Sequence, residues 1–399
     1  MSHPSPPRRA GTLQLALLLV GSCMPVLGAV LLSPVLPAMT DHFETTAGAD
    51  ILVPVVLTLP ALFIALGAPF AGLIADRFDR KRLLVGGMVA YSVFGTAPLY
   101  LDSLHAILAS RALVGVCEAA IMTCCTTLIA DYWSGSKRIR YLGLQTLVTT
   151  VAATAFIVVG GALGAAGWRM PFWLYAVAAL AAIPMALYLW QPETVRHEKE
   201  EPVTWPWRRL ALPASITVAG GLVFYTLIVQ LSFVLDDAGV SKTAAIGGIT
   251  AVMSLATAVG AGLFAKTSRL GARPLLVGEF ALAGAGLLLV AVGGPLPLII
   301  LGAVLTGFAT GMLLPTLVTW AVNGLPFAQR GRGTGIWTAA LFLGEFLSPL
   351  AVGALAAATA GLGASLAILG GASILLAVLV ATVLAVPSGA FGPAEPAAA

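Results

Sequence analysis

Charge is what this sequence has least of. Asp, Glu, Lys and Arg make up 10% of its 399 residues, against about 25% in ordinary soluble domains. With a mean hydropathy of +0.98, a soluble fold of this size has nowhere to hide its apolar surface. Hydrocarbon is the solvent in which exposing that surface costs nothing. A nucleic-acid partner is excluded as well. The net charge of +4 comes from basic residues scattered through short loops, and not from a patch on a folded domain.

Cysteine and histidine are equally scarce, at four each. Cys23, Cys117, Cys124 and Cys125 all lie inside apolar stretches, without the CxxC or Cys/His spacing of a metal or redox site. They read as small buried hydrophobes. No Walker motif, sodium signature or nucleophile–base pair is visible, so neither a cofactor nor a metal is implied and the chain is not expected to be an enzyme. Arg8 and Arg9 precede an apolar run reaching Cys23, in the manner of a lipoprotein signal. Such signals have apolar cores of only about 7–15 residues, whereas this run continues to Leu36 and is long enough to span.

What the chain has in abundance is long apolar runs. A spanning helix needs about 20 such residues. Segments meeting that test fall near 13–38, 51–75, 83–101, 104–130, 140–165, 170–190, 210–235, 243–265, 274–293, 296–322, 333–358 and 362–386. The distribution of basic residues tests this count. With both termini on the cytoplasmic side, 18 of the 21 Lys and Arg residues fall in cytoplasmic segments; Arg169 and Lys242 lie opposite, and Arg111 is within a span. One missed or invented helix would scramble that asymmetry. The polar stretch 191–209, with mixed charges and Trp205 and Trp207, reads as a cytoplasmic linker between a six-helix bundle at 1–190 and another at 210–399, the latter with a short cytoplasmic tail.

The two halves repeat. An offset of 192 residues places Gly115 on Gly307, Asp131 on Asn323, Arg138 on Arg330, Arg140 on Arg332, Gly143 on Gly335 and Gly161 on Gly353. Parallel six-helix repeats are a transporter architecture.

The loop after the second span reads Gly72-Leu-Ile-Ala-Asp76-Arg77-Phe-Asp79-Arg80-Lys81-Arg82. It resembles the major facilitator superfamily signature G-x-x-x-D-R-x-G-R-[KR], with Asp79 where that family usually has glycine. Arg111-Ala-Leu-Val-Gly115 in the fourth span is similar to the family's R-x-x-x-G. The fifth span carries a degraded form of the drug/proton antiporter motif. Gly143, Gly160 and Gly161 match it, while Ala152, Phe156 and Ile157 stand where Gly, Gly and Pro are expected. The resemblance implies an all-α membrane protein of twelve helices in two pseudo-symmetric halves. It would move a small organic solute by alternating access, with proton-coupled efflux the first choice. Proton-coupled uptake of an organic acid, with Arg111 as anion ligand, is the runner-up, and a membrane receptor or assembly partner without transport is the third reading. The expected partners are a small-molecule substrate, protons and the lipid bilayer, with the chain acting as a monomer in a bacterial inner membrane. In this family the signature loop gates the transition, which would be the role of Gly72, Asp76, Arg77, Arg80 and Lys81.

A charge at mid-bilayer costs about 2.5–3.5 kcal/mol on insertion scales, so one that persists there faces a cavity or a partner. Glu118 and Arg111 lie on the fourth span, seven residues and nearly two turns apart, hence on one face. Glu345 sits near the middle of the eleventh. These three are the candidates for proton coupling, since a carboxyl group can bind a proton on one side and release it on the other, while Arg stays charged. Glu279, two turns into the ninth span, is expected to snorkel or to pair in a loop. Gln145, Thr149, Tyr225, Gln230 and Trp337 are possible substrate-cavity residues, with Trp320 and Asn323 behind them. The first span has no ionisable residue in its core, unlike many drug antiporters of this superfamily.

Overall fold

The computed structural model describes residues 10–70, 79–192, 207–323, 325–359, 361–389 and 391. Among these residues twelve helical segments are long and apolar enough to cross a membrane, and there is no strand. They are α1 (Thr12–His42), α2 (Ala49–Phe70), α3 (Arg80–Leu99), α4 (Leu104–Tyr132), α5 (Gly135–Gly164) and α6 (Met170–Tyr188) in the first half. The second half holds α7 (Arg209–Asp237), α8 (Thr243–Leu270), α9 (Ala272–Val292), α10 (Leu296–Asn323), α11 (Gln329–Ala358) and α12 (Leu362–Thr382). Each expected span is present, with its ends moved by a few residues. Twelve crossings put the start of α1, the end of α6, the start of α7 and the end of α12 on one face, here the terminal face; the other is the far face.

Local chemistry sets the helix ends. Gln14 Oε1 accepts from the Gly11 amide at 2.9 Å to open α1, and Asp79 Oδ1 accepts from the Arg82 amide at 2.9 Å to open α3. Asp79, the one departure from the signature loop, is therefore a helix N-cap, a position that favours Asp. Proline interrupts α1. Its α-helix ends at Val30, a 3₁₀ turn covers Ser33–Val35, and a second helix runs Leu36–His42. Pro34 lies in that break and Pro37 in the first turn of the helix after it, where their missing N–H groups cost least.

The repeat is visible in the packing between halves. On α5, a Cβ at Gly161 would run into the Thr243 carbonyl and Gly247 of α8; on α11, one at Gly353 would press on Ile51 of α2. The residues met, 243 and 51, are 192 apart, as are the glycines. Small residues let these helices approach closely in a medium where apolar burial alone drives no association. Both contacts lie toward the far face. There the halves are also tied by Thr154 Oγ1 of α5 and Ser254 Oγ of α8 at 2.8 Å. After α12 the chain turns back over the terminal face, where the Pro387 carbonyl accepts from the Arg273 amide at 3.0 Å and Phe391 meets Phe264 with ring centroids 6.2 Å apart.

Candidate functional site

The site is built from α4 outward. Arg111 is fully buried, at 0% exposure, and three protein oxygens receive its guanidinium. Nε donates to the Val56 carbonyl at 3.1 Å, Nη1 to the Tyr175 hydroxyl at 2.9 Å and Nη2 to the Gly28 carbonyl at 3.3 Å. Its Cζ also lies 5.1 Å from the centre of the Tyr175 ring. The Val56 acceptor has a sequence cause. Pro60 stands four residues later in α2 and has no N–H to give it. Gly28 lies just before the break in α1. Arg111 thus clamps α1, α2, α4 and α6 from inside the first bundle, with its charge directed at main-chain dipoles.

Glu118, at 1% exposure, is on the same face of α4 and packs directly against Gly28. A Cβ at position 28 would overlap Glu118 Oε1 and reach the Tyr91 hydroxyl at 3.4 Å. Glu118 Oε1 has no hydrogen-bond partner. Tyr91 of α3 donates to the Met24 carbonyl at 2.6 Å, and its ring centroid is 5.1 Å from that of Tyr175. Glu345, at 5% exposure on α11, comes from the other half and lies within electrostatic reach of Glu118. One turn on, Pro349 removes the amide that would bond the Glu345 carbonyl, which loosens α11 beside the acid. Glu118 and Glu345 thus lie within electrostatic reach of each other, each near the middle of its helix, beside the α1–α7 seam. Arg111 faces the interior of its own bundle.

Tyr225 bridges the seam: its hydroxyl donates to the Ala29 carbonyl of α1. Ser33 of α1 in turn donates to the Ile228 carbonyl of α7. Thr226 and Ser348 join α7 to α11 at 3.2 Å, and Gln230 is buried on α7. Gln145 Nε2 ties α5 to Ser22 of α1 at 2.8 Å and to Thr126 of α4 at 3.1 Å. Thr149 spends its hydroxyl on the Gln145 carbonyl at 3.0 Å. Trp337 packs among apolar side chains that include Leu317 and Leu325, its Nε1 buried without a partner. This is the terminal side of the second bundle, away from the two acids.

One expectation fails. Glu279 neither snorkels nor pairs in a loop; it is 3% exposed and accepts from Thr316 Oγ1 of α10 at 2.7 Å, with Oε2 unpartnered. Its side chain turns inward to α10, away from both lipid and loop. Of the signature loop, Gly72, Asp76 and Arg77 lie outside the described residues. Arg80 pairs with Asp131 at the end of α4, and its amide donates to Gln191 Oε1 at 2.8 Å. Lys81 is half-buried beside it. Reasoning from sequence missed Tyr91, Tyr175, Gly28 and Ser33. Their signal was present for the tyrosines: the 192 offset sets Ala283 and Ala367 opposite them.

Comparison with known proteins agrees with this architecture. A sequence profile of the Major Facilitator Superfamily matches residues 18–236 and 211–398. The chain is 27% identical over 308 residues to a 3-(3-hydroxy-phenyl)propionate transporter of Escherichia coli, covering 74% of this chain and 75% of that one. It is 26% identical over 372 residues to the class G tetracycline resistance protein of Vibrio anguillarum, covering 87% and 91%. Among solved structures, the xylose transporter of E. coli in an inward open conformation superposes with a TM-score of 0.76 at 13% identity over 94% of this chain and 96% of that one. A bacterial homologue of the human lysosomal transporter Spinster, inward-facing and unoccupied, gives 0.67 at 20% identity over 93% and 95%.

Proposed function

The chain belongs to the major facilitator superfamily, and from that premise we propose that it exports a small organic compound in exchange for protons by alternating access. The observation carrying this reading is the pair of buried carboxyl groups, Glu118 and Glu345, contributed by opposite halves to one seam at mid-membrane. Groups that exchange protons and sit where the halves part are placed to link proton binding to the change of access. The tetracycline resistance relative supports the direction.

Uptake of an organic acid is the second reading, favoured by the phenylpropionate transporter among the relatives. It needs a cation to receive the anion. Arg111 is the one basic residue deep in a span, and its Nε, Nη1 and Nη2 atoms are committed to protein oxygens. We further propose that the protein is a monomer in a bacterial inner membrane. Its termini and the 191–209 linker would be cytoplasmic, and its bundles would comprise 1–190 and 210–399. Counterflow in proteoliposomes against a library of cationic, neutral and anionic compounds, with a pH dye inside, tests the whole reading. Export predicts substrate-dependent proton movement opposite to the compound; co-movement of an anion with protons would establish uptake, and no movement with any compound would favour a receptor.

A further inference from the structure

The α1–α7 seam holds two hydrogen bonds that cross between halves, and they are built alike. Tyr225 of α7 donates to the Ala29 carbonyl, and Ser33 of α1 donates to the Ile228 carbonyl. In each case a hydroxyl from one half reaches the main chain of the other. The two donors are themselves 192 residues apart, the repeat offset. They differ in surroundings. Around the Tyr225 hydroxyl lie Glu345 of α11, Glu118 and Arg111 of α4, and Tyr175 of α6, all within electrostatic reach. Ser33 is fully buried on the far side of that group.

The acceptor is as telling as the donor. The Ala29 carbonyl belongs to the residue after Gly28, whose own carbonyl is held by Arg111 and whose Cα supports the Glu118 carboxyl. Two successive peptide units at the edge of the α1 break are thus gripped, one by the first half and the next by the second. A movement of the Glu118 carboxyl against Gly28 is felt one residue later by the bond to Tyr225. The other elements packed on α7 bring little competing charge. Helices α10 and α12 carry no ionisable side chain, and α1 has only Cys23, Asp41 and His42. On α8 and α9 the ionisable groups (Lys266, Arg269, Arg273 and Glu279) lie toward the terminal face.

We propose that Tyr225 is a positioning residue that couples Glu118 to Glu345 across the two halves, through its bond to the Ala29 carbonyl at the break in α1. Ser33 provides the same kind of bond without the coupling and serves as the internal control. This rests on the proton-coupled reading above, and the test separates the two. The probe is a maleimide, so no substrate need be known. Val35, 1% exposed and packed on Gly164 near the far face, is replaced by cysteine in a background with the four native cysteines changed to alanine. Labelling rate in proteoliposomes is followed from pH 5 to 9 and divided at each pH by the rate of the same cysteine in the denatured protein, which removes the pH dependence of thiolate formation; the ratio measures far-side opening.

In this parent the rate ratio should titrate with pH; a flat profile would refute proton control itself, and the proposal with it. Ser33→Ala should raise labelling several-fold at every pH with the midpoint unchanged, as expected for a lost closing contact. Tyr225→Phe should raise it and also move the midpoint by about one pH unit, the shift that a tenfold change in proton affinity produces. In a Glu345→Gln background, Tyr225→Phe should cause no further midpoint shift. A titrating parent in which Tyr225→Phe and Ser33→Ala share the parental midpoint would make Tyr225 a simple seal and overturn the proposal. So would a full shift persisting after Glu345→Gln.

Discussion

Replacing Arg111 with lysine tests whether this buried cation serves the fold or the solute. Its guanidinium satisfies three acceptors on three other helices, at 3.1, 2.9 and 3.3 Å. An ammonium group is a point charge without the planar fork, and cannot reach carbonyls of α1 and α2 and a hydroxyl of α6 together. At least one bond is lost, and two if the shorter side chain settles beside Tyr175. Charge-assisted hydrogen bonds contribute about 1.5–3 kcal/mol in soluble proteins, while polar contacts between membrane helices average about 0.6 kcal/mol with a maximum near 1.7. Taking the membrane scale for two bonds gives a loss of about 1–3 kcal/mol. For a half of this size that corresponds to a fall in Tm of roughly 3–10 °C. The assay is thermal unfolding of purified protein in detergent followed by tryptophan fluorescence, beside counterflow at a temperature where the variant is folded. Folded Arg111→Lys should retain substantial exchange. An unchanged Tm with abolished exchange would refute the clamp and return Arg111 to the solute path.

Glu118→Gln and Glu345→Gln each keep shape and most hydrogen-bonding capacity while removing a proton site; each should abolish accumulation driven by a pH gradient yet leave exchange at equal pH partly intact. Retention of gradient-driven accumulation and an unchanged pH profile in both would place coupling elsewhere. Gly28→Ala forces a methyl group into the Glu118 carboxyl, and overpacking of this kind costs about 1–3 kcal/mol; a lowered Tm with a shifted transport pH profile is expected, and wild-type behaviour in both would contradict the contact. Gly161→Leu should prevent α5 from closing on Gly247 of α8, so a far-side cysteine should label faster, and slower labelling would count against far-face closure there. Asp79→Ala removes the N-cap of α3 at a cost of about 1 kcal/mol, measurable as a modest fall in Tm; no fall at all would argue against the cap.

The spans were legible because hydrocarbon imposes one demand on every helix, and composition over about 20 residues answers it. The break in α1 was less so. Pro34 and Pro37 announce that the helix cannot run regularly, but not that the neighbouring carbonyls will be taken by Arg111 from one half and Tyr225 from the other. Depth along a helix could be counted for Arg111, Glu118 and Glu279; direction around it could not, since spans this uniformly apolar carry almost no amphipathic signal. That is why Glu279 was expected near a loop and lies against Thr316.

The repeat offers the missing direction when it is read for differences. At the 192 offset Arg111, Glu118, Tyr91 and Tyr175 face Ala303, Thr310, Ala283 and Ala367, while Glu345 faces Ala153. Of four polar groups scattered over α3, α4 and α6, three become alanine and the fourth exchanges its carboxyl for a hydroxyl in the second half. Independent packing choices would have no reason to change in concert; members of one network would, because leaving any of them buried alone costs the desolvation of an unpaired group. The first bundle therefore brings a clamped cation and an acid, and the second brings one acid to the seam from α11 beside Pro349, its other buried acid, Glu279, lying apart against Thr316 of α10. On the proton-exchange reading proposed above, two acids that meet the seam from such unlike surroundings would let protonation act on the contact between the halves.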